Sequence, residues 1–363
     1  MHRHAIDPAT GTLSPGEEIL EAAGVQALTW FAQGVADKPL ILFVPGVRHL
    51  ARISYGAHDG AEPRHFLAHH LIDLGYSFAG VSYPTDPEDG GIPDSFPGFT
   101  VRDWGRMVAD VAGQLVERHG LKREVWVMCW SMSGKIAQSV HVAMREAGLR
   151  MPGIIAYTST GPLPGLQGVG RDFGMAHNGY AASPGDRASG FAKVALSNAL
   201  EGQEVIPEEA YRRRYVGNTP AALQGGGMIY RDGAFVSDQQ AVIEDRGGMA
   251  FNDMPLTGAI WMSQDNRHSL TDRAVWNVYN TFTVWHRYLA AHGLNMMDME
   301  QPARDRLNAL IGDLQNRLSR GVEGHHYSLV GQTGASAIAA AADELIAEVT
   351  AVDRDLREIL GLG

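Results

Sequence analysis

The chain has one cysteine, Cys129, in 363 residues, so an intrachain disulfide is impossible and a structural zinc site built on thiolates is excluded. That usage fits a reducing compartment. Basic residues are in deficit, 30 against 41 acidic ones, giving a formal net charge of −11. Such a surface repels phosphate backbones and argues against a nucleic-acid partner. No apolar run approaches the roughly 20 residues that span a bilayer. The opening stretch, Met1-His2-Arg3-His4-Ala5-Ile6-Asp7-Pro8, lacks the apolar core of a secretory signal. A cytoplasmic protein with no membrane attachment is expected. Internal repeats and low-complexity segments are also missing. What is present, 45% hydrophobic and 20% charged residues, suffices for a sizeable core in one large domain or a domain with an insertion.

Short apolar runs punctuated by Gly and Pro organise the first half. Residues 1–23 are polar and turn-rich and read as a lead-in, and 24–31 as an early edge strand. Residues 39–44, 78–83, 125–128 and 153–158 are near-continuous apolar runs, the mark of strands buried on both faces. Helical spacing occupies 64–74, with Gly75 as its stop, then 100–119 and 135–147, while 84–99 is a loop rich in Asp, Gly and Pro. Strands alternating with helices predict a parallel sheet covered on both faces. Periodicity degrades after Gly161. Residues 161–250 hold short helical pieces and a hairpin turning at Asp232-Gly233, and read as a lid inserted into a core formed by 1–160 and 251–363. The sheet resumes at 256–262. Helical stretches follow near 270–291, 302–319 and 335–360, with no clear strand just before Gly324.

The stretch Cys129-Trp130-Ser131-Met132-Ser133-Gly134 lies between a predicted strand and a predicted helix. A serine in a small-x-Ser-x-small turn there can expose its hydroxyl above the strand end, a degenerate G-x-S-x-G elbow. Ser131 fits the register. A nucleophile at Cys129 would put Val127 at a position needing a small residue, and one at Ser133 would put Lys135 there. A serine nucleophile needs a histidine base, a carboxylate to orient it and backbone donors for the oxyanion, in the order Ser, acid, His.

These residues resemble the α/β-hydrolase superfamily over roughly 39–160 and 250–360. Ile260-Trp261-Met262-Ser263-Gln264-Asp265 is similar to its Ile-Trp-Gly-Glu-x-Asp pattern and puts Asp265 in the acid's place, with Asp253 and Asp272 as weaker rivals. Gly324-His325 matches the Gly-His dipeptide of the base, with His326 where an aromatic usually stands; the choice between these adjacent histidines stays open. The family's His-Gly-x stands here as Pro45-Gly46-Val47, which makes the N–H groups of Val47 and Met132 the expected oxyanion donors. Arg48 and Trp130 are candidates for substrate contact. The resemblance implies a mostly parallel sheet of about eight strands, a helical lid, a Ser131-Asp265-His325 triad, no metal and no cofactor. It further implies cleavage of a small-molecule ester, lactone or thioester through an acyl-enzyme. Acyl transfer, lyase chemistry on the same triad, or a non-catalytic binding protein are the alternatives. Epoxide hydrolase and dehalogenase chemistry is disfavoured, because both use an Asp nucleophile where Ser131 stands.

Other signals read more plainly. His65 and His69 lie at i,i+4 without the H-E-x-x-H glutamate of a metal helix. Gly134-Lys135 mimics the end of a P-loop without its leading Gly or its Ser/Thr. Residues 211–215, Tyr-Arg-Arg-Arg-Tyr, lie in the lid and offer a holder for a carboxylate or phosphate, but read better as a solvated charge run. Trp276, Tyr279, Phe282, Trp285 and Tyr288 recur at helical spacing and belong to the core or to an interface such as a homodimer's.

Overall fold

Short apolar runs become the strands of one sheet. The computed structural model describes residues 13–163, 174–182 and 186–362. Eight strands pair in this sheet: β1 (Glu17–Ala22), β2 (Val25–Ala32), β3 (Leu40–Val44), β4 (Ser77–Ser82), β5 (Val125–Trp130), β6 (Gly153–Tyr157), β7 (Leu256–Met262) and β8 (Ser319–Val322). Their spatial order is β1-β2-β4-β3-β5-β6-β7-β8. Only the β1–β2 and β2–β4 pairings are antiparallel; the five others are parallel. This is the α/β-hydrolase fold that the sequence led us to expect.

Helices follow in chain order: α1 (Leu67–Asp73), α2 (Val101–His119), α3 (Ala137–Glu146), α4 (Asp186–Glu201), α5 (Gln239–Arg246), α6 (His268–Thr283), α7 (Gln301–Arg317) and α8 (Gln332–Leu360); all but α4 and α5 pack about the sheet. Every residue of β3, β4, β5 and β6 is buried. Strand alternation divides the core in two. Ile41, Phe43, Trp126 and Met128 pack with α1, α7 and α8, whereas Leu40, Leu42, Val44 and Val127 pack with α2 and α3. Thr100 caps α2 reciprocally with Asp103, and Gly120 ends it in a left-handed conformation. Among the described residues no helix is long and apolar enough to cross a membrane.

Three strands differ from the sequence reading, and one of them, β2, read as an edge strand, is paired on both sides, with β1 and β4. Residues 17–22 are not lead-in but β1, turned onto β2 by Ala23 and Gly24 at φ of 52° and 81°. Two consecutive positive φ values are what a tight hairpin requires. The lead-in's first 12 residues lie outside the described ones. Ser319–Val322 is a strand despite its unremarkable sequence, because it is the sheet's edge and only one side must be apolar. Gly321 is small there because a Cβ would lie 2.4 Å from the Trp261 ring of β7.

The segment between β6 and β7 contains α4, α5 and an antiparallel hairpin of Met228–Arg231 with Ala234–Ser237. The expected turn at Asp232-Gly233 is present, with φ of 51° and 82°. Residues 164–173 and 183–185 of this segment lie outside the described ones. The segment is stitched to the loop after β3: Leu50 N–H donates to Tyr215 O (3.0 Å), Gly217 N–H to Arg48 O (2.8 Å) and Arg48 N–H to Thr219 Oγ1 (3.0 Å).

Behind that loop lies a buried ion pair. The side chains of Arg52 and Glu17 are both fully inaccessible. All five guanidinium N–H groups donate: two to Glu17 (2.7 Å each), and one each to the carbonyls of Asp89 (2.9 Å), Arg214 (2.9 Å) and Gly90 (2.8 Å). Glu17 also accepts from Tyr55 Oη (2.7 Å) and Ser14 N–H (2.6 Å). Removing one member strands the other charge in low dielectric. Glu17→Ala and Arg52→Ala should therefore each lower unfolding free energy by about 3 to 5 kcal/mol. The apolar double variant Glu17→Met/Arg52→Met should lose much less than their sum, as read by urea denaturation.

Candidate functional site

Strand β5 ends at Trp130, and the chain turns at once into a tight helical turn over Ser131–Ile136 before α3. Ser131 takes φ of +59°, a left-handed conformation that a side chain visits at a strain of about 1 to 3 kcal/mol. The surroundings enforce it. Ser131 O accepts from Thr160 N–H (2.7 Å) and Ser159 Oγ (3.0 Å), and Gly134 N–H donates to Ser159 Oγ (2.9 Å). Close approaches fall at two glycines beside the turn. A Cβ on Gly46 would lie 2.7 Å from Ser131 Cβ, and one on Gly134 would lie 2.5 Å from Ser159 Oγ. Ser133 is fully buried and donates toward Val44 O (2.8 Å) and Trp130 O (2.9 Å). Cys129 sits inside β5, where burial pushes its thiol up to about 12. Both alternative nucleophiles are thus built into the core.

Asp265 follows β7 at the bend into α6. Its Oδ2 lies 2.6 Å from Nδ1 of His326, and its Oδ1 accepts the His268 N–H at 3.2 Å. The sequence expectation of His325 as Asp265's partner is corrected: His326 faces the carboxylate. His325 turns the other way, with Nε2 3.4 Å from Ser197 Oγ and Nδ1 accepting from Tyr327 N–H at 3.3 Å. The reason is local. His325 N–H is anchored on Ser328 Oγ (2.9 Å), and the His326 carbonyl accepts from both Trp130 Nε1 (3.1 Å) and Tyr157 Oη (3.2 Å).

A carboxylate only accepts, so His326 Nδ1 carries its proton and Nε2 presents a lone pair. Burial is the largest influence on His326 and pushes it down to about 4; the Asp265 hydrogen bond opposes this, and the charges of His268 and Lys193 add to it. Burial is the largest influence on Asp265 and would raise it, but the hydrogen bond and charge of His326 together with the charge and N–H of His268 outweigh that and hold the carboxyl below its ordinary range. His268 stacks on His326 with ring centres 5.0 Å apart and holds Asp272 through Nδ1 at 3.0 Å. Asp272 therefore sits one residue removed from His326, and Asp253 is taken by Arg145 at 3.0 Å.

The loop after β3, Pro45 to Leu50, lies against the serine turn. Gly46 O accepts from Tyr83 Oη (3.0 Å). In a trans peptide the C=O and the following N–H point in opposite directions, so this bond fixes the direction of the Val47 N–H. His49 is buried between Val47 O (2.8 Å to Nδ1) and Tyr211 Oη (3.0 Å to Nε2), and burial pushes it down to about 3. Met132, the other expected donor, follows Ser131 directly.

One cavity of about 340 Å³ gathers these groups. Ser131, Val47, Arg48, Trp130, Asp265 and His326 line it, joined by His49, His268, Arg267 and Tyr327. From the segment between β6 and β7 come Ser189, Gly190, Lys193, Tyr211 and Val216. Trp130 is almost fully buried and serves chiefly as the anchor of the His326 loop. Sequence reasoning missed His268, Tyr83, Lys193 and Tyr211 as neighbours of the site. Only Tyr211 carried a signal, as an aromatic flanking the arginine run.

The remaining motifs have other partners. His65 meets Gln203 Nε2 (2.7 Å), while His69 meets Asp73 (3.2 Å), so the two do not converge on one ion. Lys135 is buried with Nζ donating to Leu223 O at 2.7 Å. Arg212 and Arg213 pair with Glu208 and Asp89, and Arg214 reaches Ala57 O and Ser14 Oγ. Trp276, Tyr279 and Tyr288 are buried, whereas Phe282 and Trp285 are exposed. Asp265, His268 and His326 place potential metal-ligand atoms within 4.8 Å of one another. The Nδ1 atoms of both histidines are already committed to carboxylates, which leaves that trio organised as a hydrogen-bonded chain.

No protein-family model matches this chain, and no curated protein matches it. Solved structures with a general likeness include a thioesterase domain from the curacin biosynthetic pathway, 12% identical over 89% of this chain and 97% of that one, with a TM-score of 0.43. A carboxylesterase structure from the thaumarchaeon Nitrososphaera gargenis is 12% identical over 93% and 100%, with a TM-score of 0.43. A bacterial heroin esterase is 15% identical over 94% and 86%, also with a TM-score of 0.43. The fold itself rests on the strand order and register described above.

The strain at Ser131 predicts an asymmetry between two substitutions that both delete the hydroxyl. Glycine accepts φ of +59° freely and alanine does not. Ser131→Gly should be more stable than Ser131→Ala by about 1 kcal/mol in urea denaturation.

Proposed function

We propose that this protein is a serine hydrolase acting on small-molecule carboxylic esters, lactones or thioesters. One observation carries the reading: Ser131, at positive φ on the end of β5, shares a cavity with a histidine whose Nδ1 is bound to a carboxylate. In this reading Ser131 Oγ attacks the acyl carbon while His326 Nε2 removes its proton. Asp265 fixes the imidazole's tautomer and stabilises the imidazolium. The N–H groups of Val47 and Met132 receive the negative charge that develops on the carbonyl oxygen. His326 then protonates the departing alcohol or thiol. Water, deprotonated by the same histidine, attacks the acyl-enzyme and frees Ser131. Residues 161–250 act as a lid, supported by the five side-chain or backbone positions they contribute to the cavity wall.

A fluorophosphonate probe tests the nucleophile. It should add one adduct to the wild type and to Ser133→Ala, and none to Ser131→Ala; an unlabelled wild type overturns the reading. The base is tested in parallel. His326→Ala should lose on the order of 10⁴- to 10⁶-fold in kcat on 4-nitrophenyl esters. His325→Ala, which removes only the contacts to Ser197 and Tyr327, should stay within about tenfold.

The pH dependence follows from the depressed ionisation of His326. The neutral imidazole is the active form, present above its pKa and lost as pH falls through it. Because burial holds it down near 4, kcat/KM should keep its plateau below pH 6 and fall only between about pH 5 and 3. An acid limb centred at 6.5 or above would contradict this.

A further inference from the structure

Two buried donors from different elements lack an acceptor. Arg246 ends α5 and is only 4% exposed, yet its buried Nε and Nη2 have no hydrogen-bond partner among the described residues. Tyr279 of α6 is 2% exposed, and its Oη is orphaned in the same way. Each acts on the other electrostatically. Burial is the largest influence on both and pushes the guanidinium down and the phenol up. The carboxylate next in the chain is committed elsewhere. Asp245 reaches Arg246 with its charge, but its two oxygens accept the Val101 and Arg102 N–H groups at the start of α2, at 2.8 and 2.9 Å.

Nε and Nη2 share one edge of the guanidinium, and that edge receives the two oxygens of an oxyanion side-on. The chain uses it so elsewhere. Arg52 holds both oxygens of Glu17 through Nε and Nη2 (2.7 Å each), and Arg213 holds both of Asp89 (2.8 and 3.0 Å). At Arg246 the same edge is buried, and no described residue supplies the acceptor. A buried cation without one is among the costliest arrangements a fold can hold. Tyr279 Oη offers a third donor nearby. Glycine at 248 keeps its surroundings clear, since a Cβ there would lie 3.3 Å from Tyr279 Oη and 2.4 Å from Pro162 O. Gly247, next to Arg246 in the chain, lines a surface cavity of about 380 Å³ that opens this neighbourhood to solvent.

We propose that Arg246 and Tyr279 form a binding site for a small oxyanion, a carboxylate or a phosphate, which takes the Nε/Nη2 edge and the phenol hydroxyl and so ties the segment between β6 and β7 to α6. Neither residue lines the cavity at Ser131, so the inference stands or falls apart from the hydrolase reading.

Thermal unfolding of the full chain tests it, in sodium acetate, in sodium phosphate and, at matched ionic strength, in sodium chloride. Relative to chloride, acetate or phosphate should raise the wild-type Tm saturably, by about 3 °C or more. Saturation by either anion supports the site, and the lower half-saturation concentration identifies planar or tetrahedral geometry. Arg246→Met puts an apolar chain where the guanidinium lies. It should lose the rise and, in chloride, unfold no earlier than the wild type, because an unpaired buried charge has been removed. Arg246→Lys keeps the charge without the fork and should need more anion for the same rise. Tyr279→Phe removes only the hydroxyl and should raise the half-saturation concentration by about threefold or more. A wild type with no saturable rise, or an equal rise in Arg246→Met, overturns the site. Should Arg246→Met fail to fold, Tyr279→Phe decides, and an unchanged half-saturation concentration there overturns the inference.

Discussion

The buried pair of Arg52 and Glu17 is the constraint on which the rest of the architecture leans. Its guanidinium binds β1 through Glu17, the long loop after β4 through Asp89 and Gly90, and the segment between β6 and β7 through Arg214. These are three pieces of chain far apart in sequence, and one buried guanidinium joins them. Arg52 also sits in the turn immediately after the loop that faces Ser131. In low dielectric a charge with five satisfied donors tolerates few rearrangements, so the loop is defined from behind by electrostatics as well as by the packing of Ala51 and Ile53. The same segment is then sewn on from above, through Tyr215, Gly217 and Thr219.

The central sheet was legible in the sequence because β3 to β6 are buried on both faces and therefore read as unbroken apolar runs. Edges follow a different rule. β1 begins Glu17-Glu18, and the first of these glutamates is there for Arg52, a partner 35 residues away that no local pattern reveals. β8 consists of Ser, Arg, Gly and Val, and its Gly321 answers to the shape of Trp261 on the neighbouring strand. Hydrophobic periodicity records burial, and it falls silent where a strand is defined by one neighbour and a few polar contacts.

The candidate site divides along the same line. Ser131 and Asp265 stand at strand ends, where local sequence and chain order fix position, and both line the cavity together. The histidine sits in a loop, where register depends on which backbone groups are anchored. Ser328 takes one side of that loop while Trp130 and Tyr157 take the other, and this turns His326 rather than His325 toward the carboxylate. At the degenerate elbow, Gly46 and Gly134, neither of them a flanking position of the G-x-S-x-G pattern, carry close approaches. His268 and Lys193 were invisible because their places at the site arise only when distant segments meet.

The anchoring of the His326 carbonyl has a mechanical consequence. Trp130, which supplies one of its two donors, is bonded covalently to Ser131. Serine and histidine are thus referenced to a single point on the end of β5. Asp265 and His268, just after β7, belong to that reference because they hold and stack on the His326 ring, whereas residues 284–318, which include α7, do not. That stretch can bend, lengthen or take up load from a neighbouring molecule while the spacing of the two reactive side chains is set elsewhere. In an engineer's language, the excursion is mounted on the frame and the frame does not run through it.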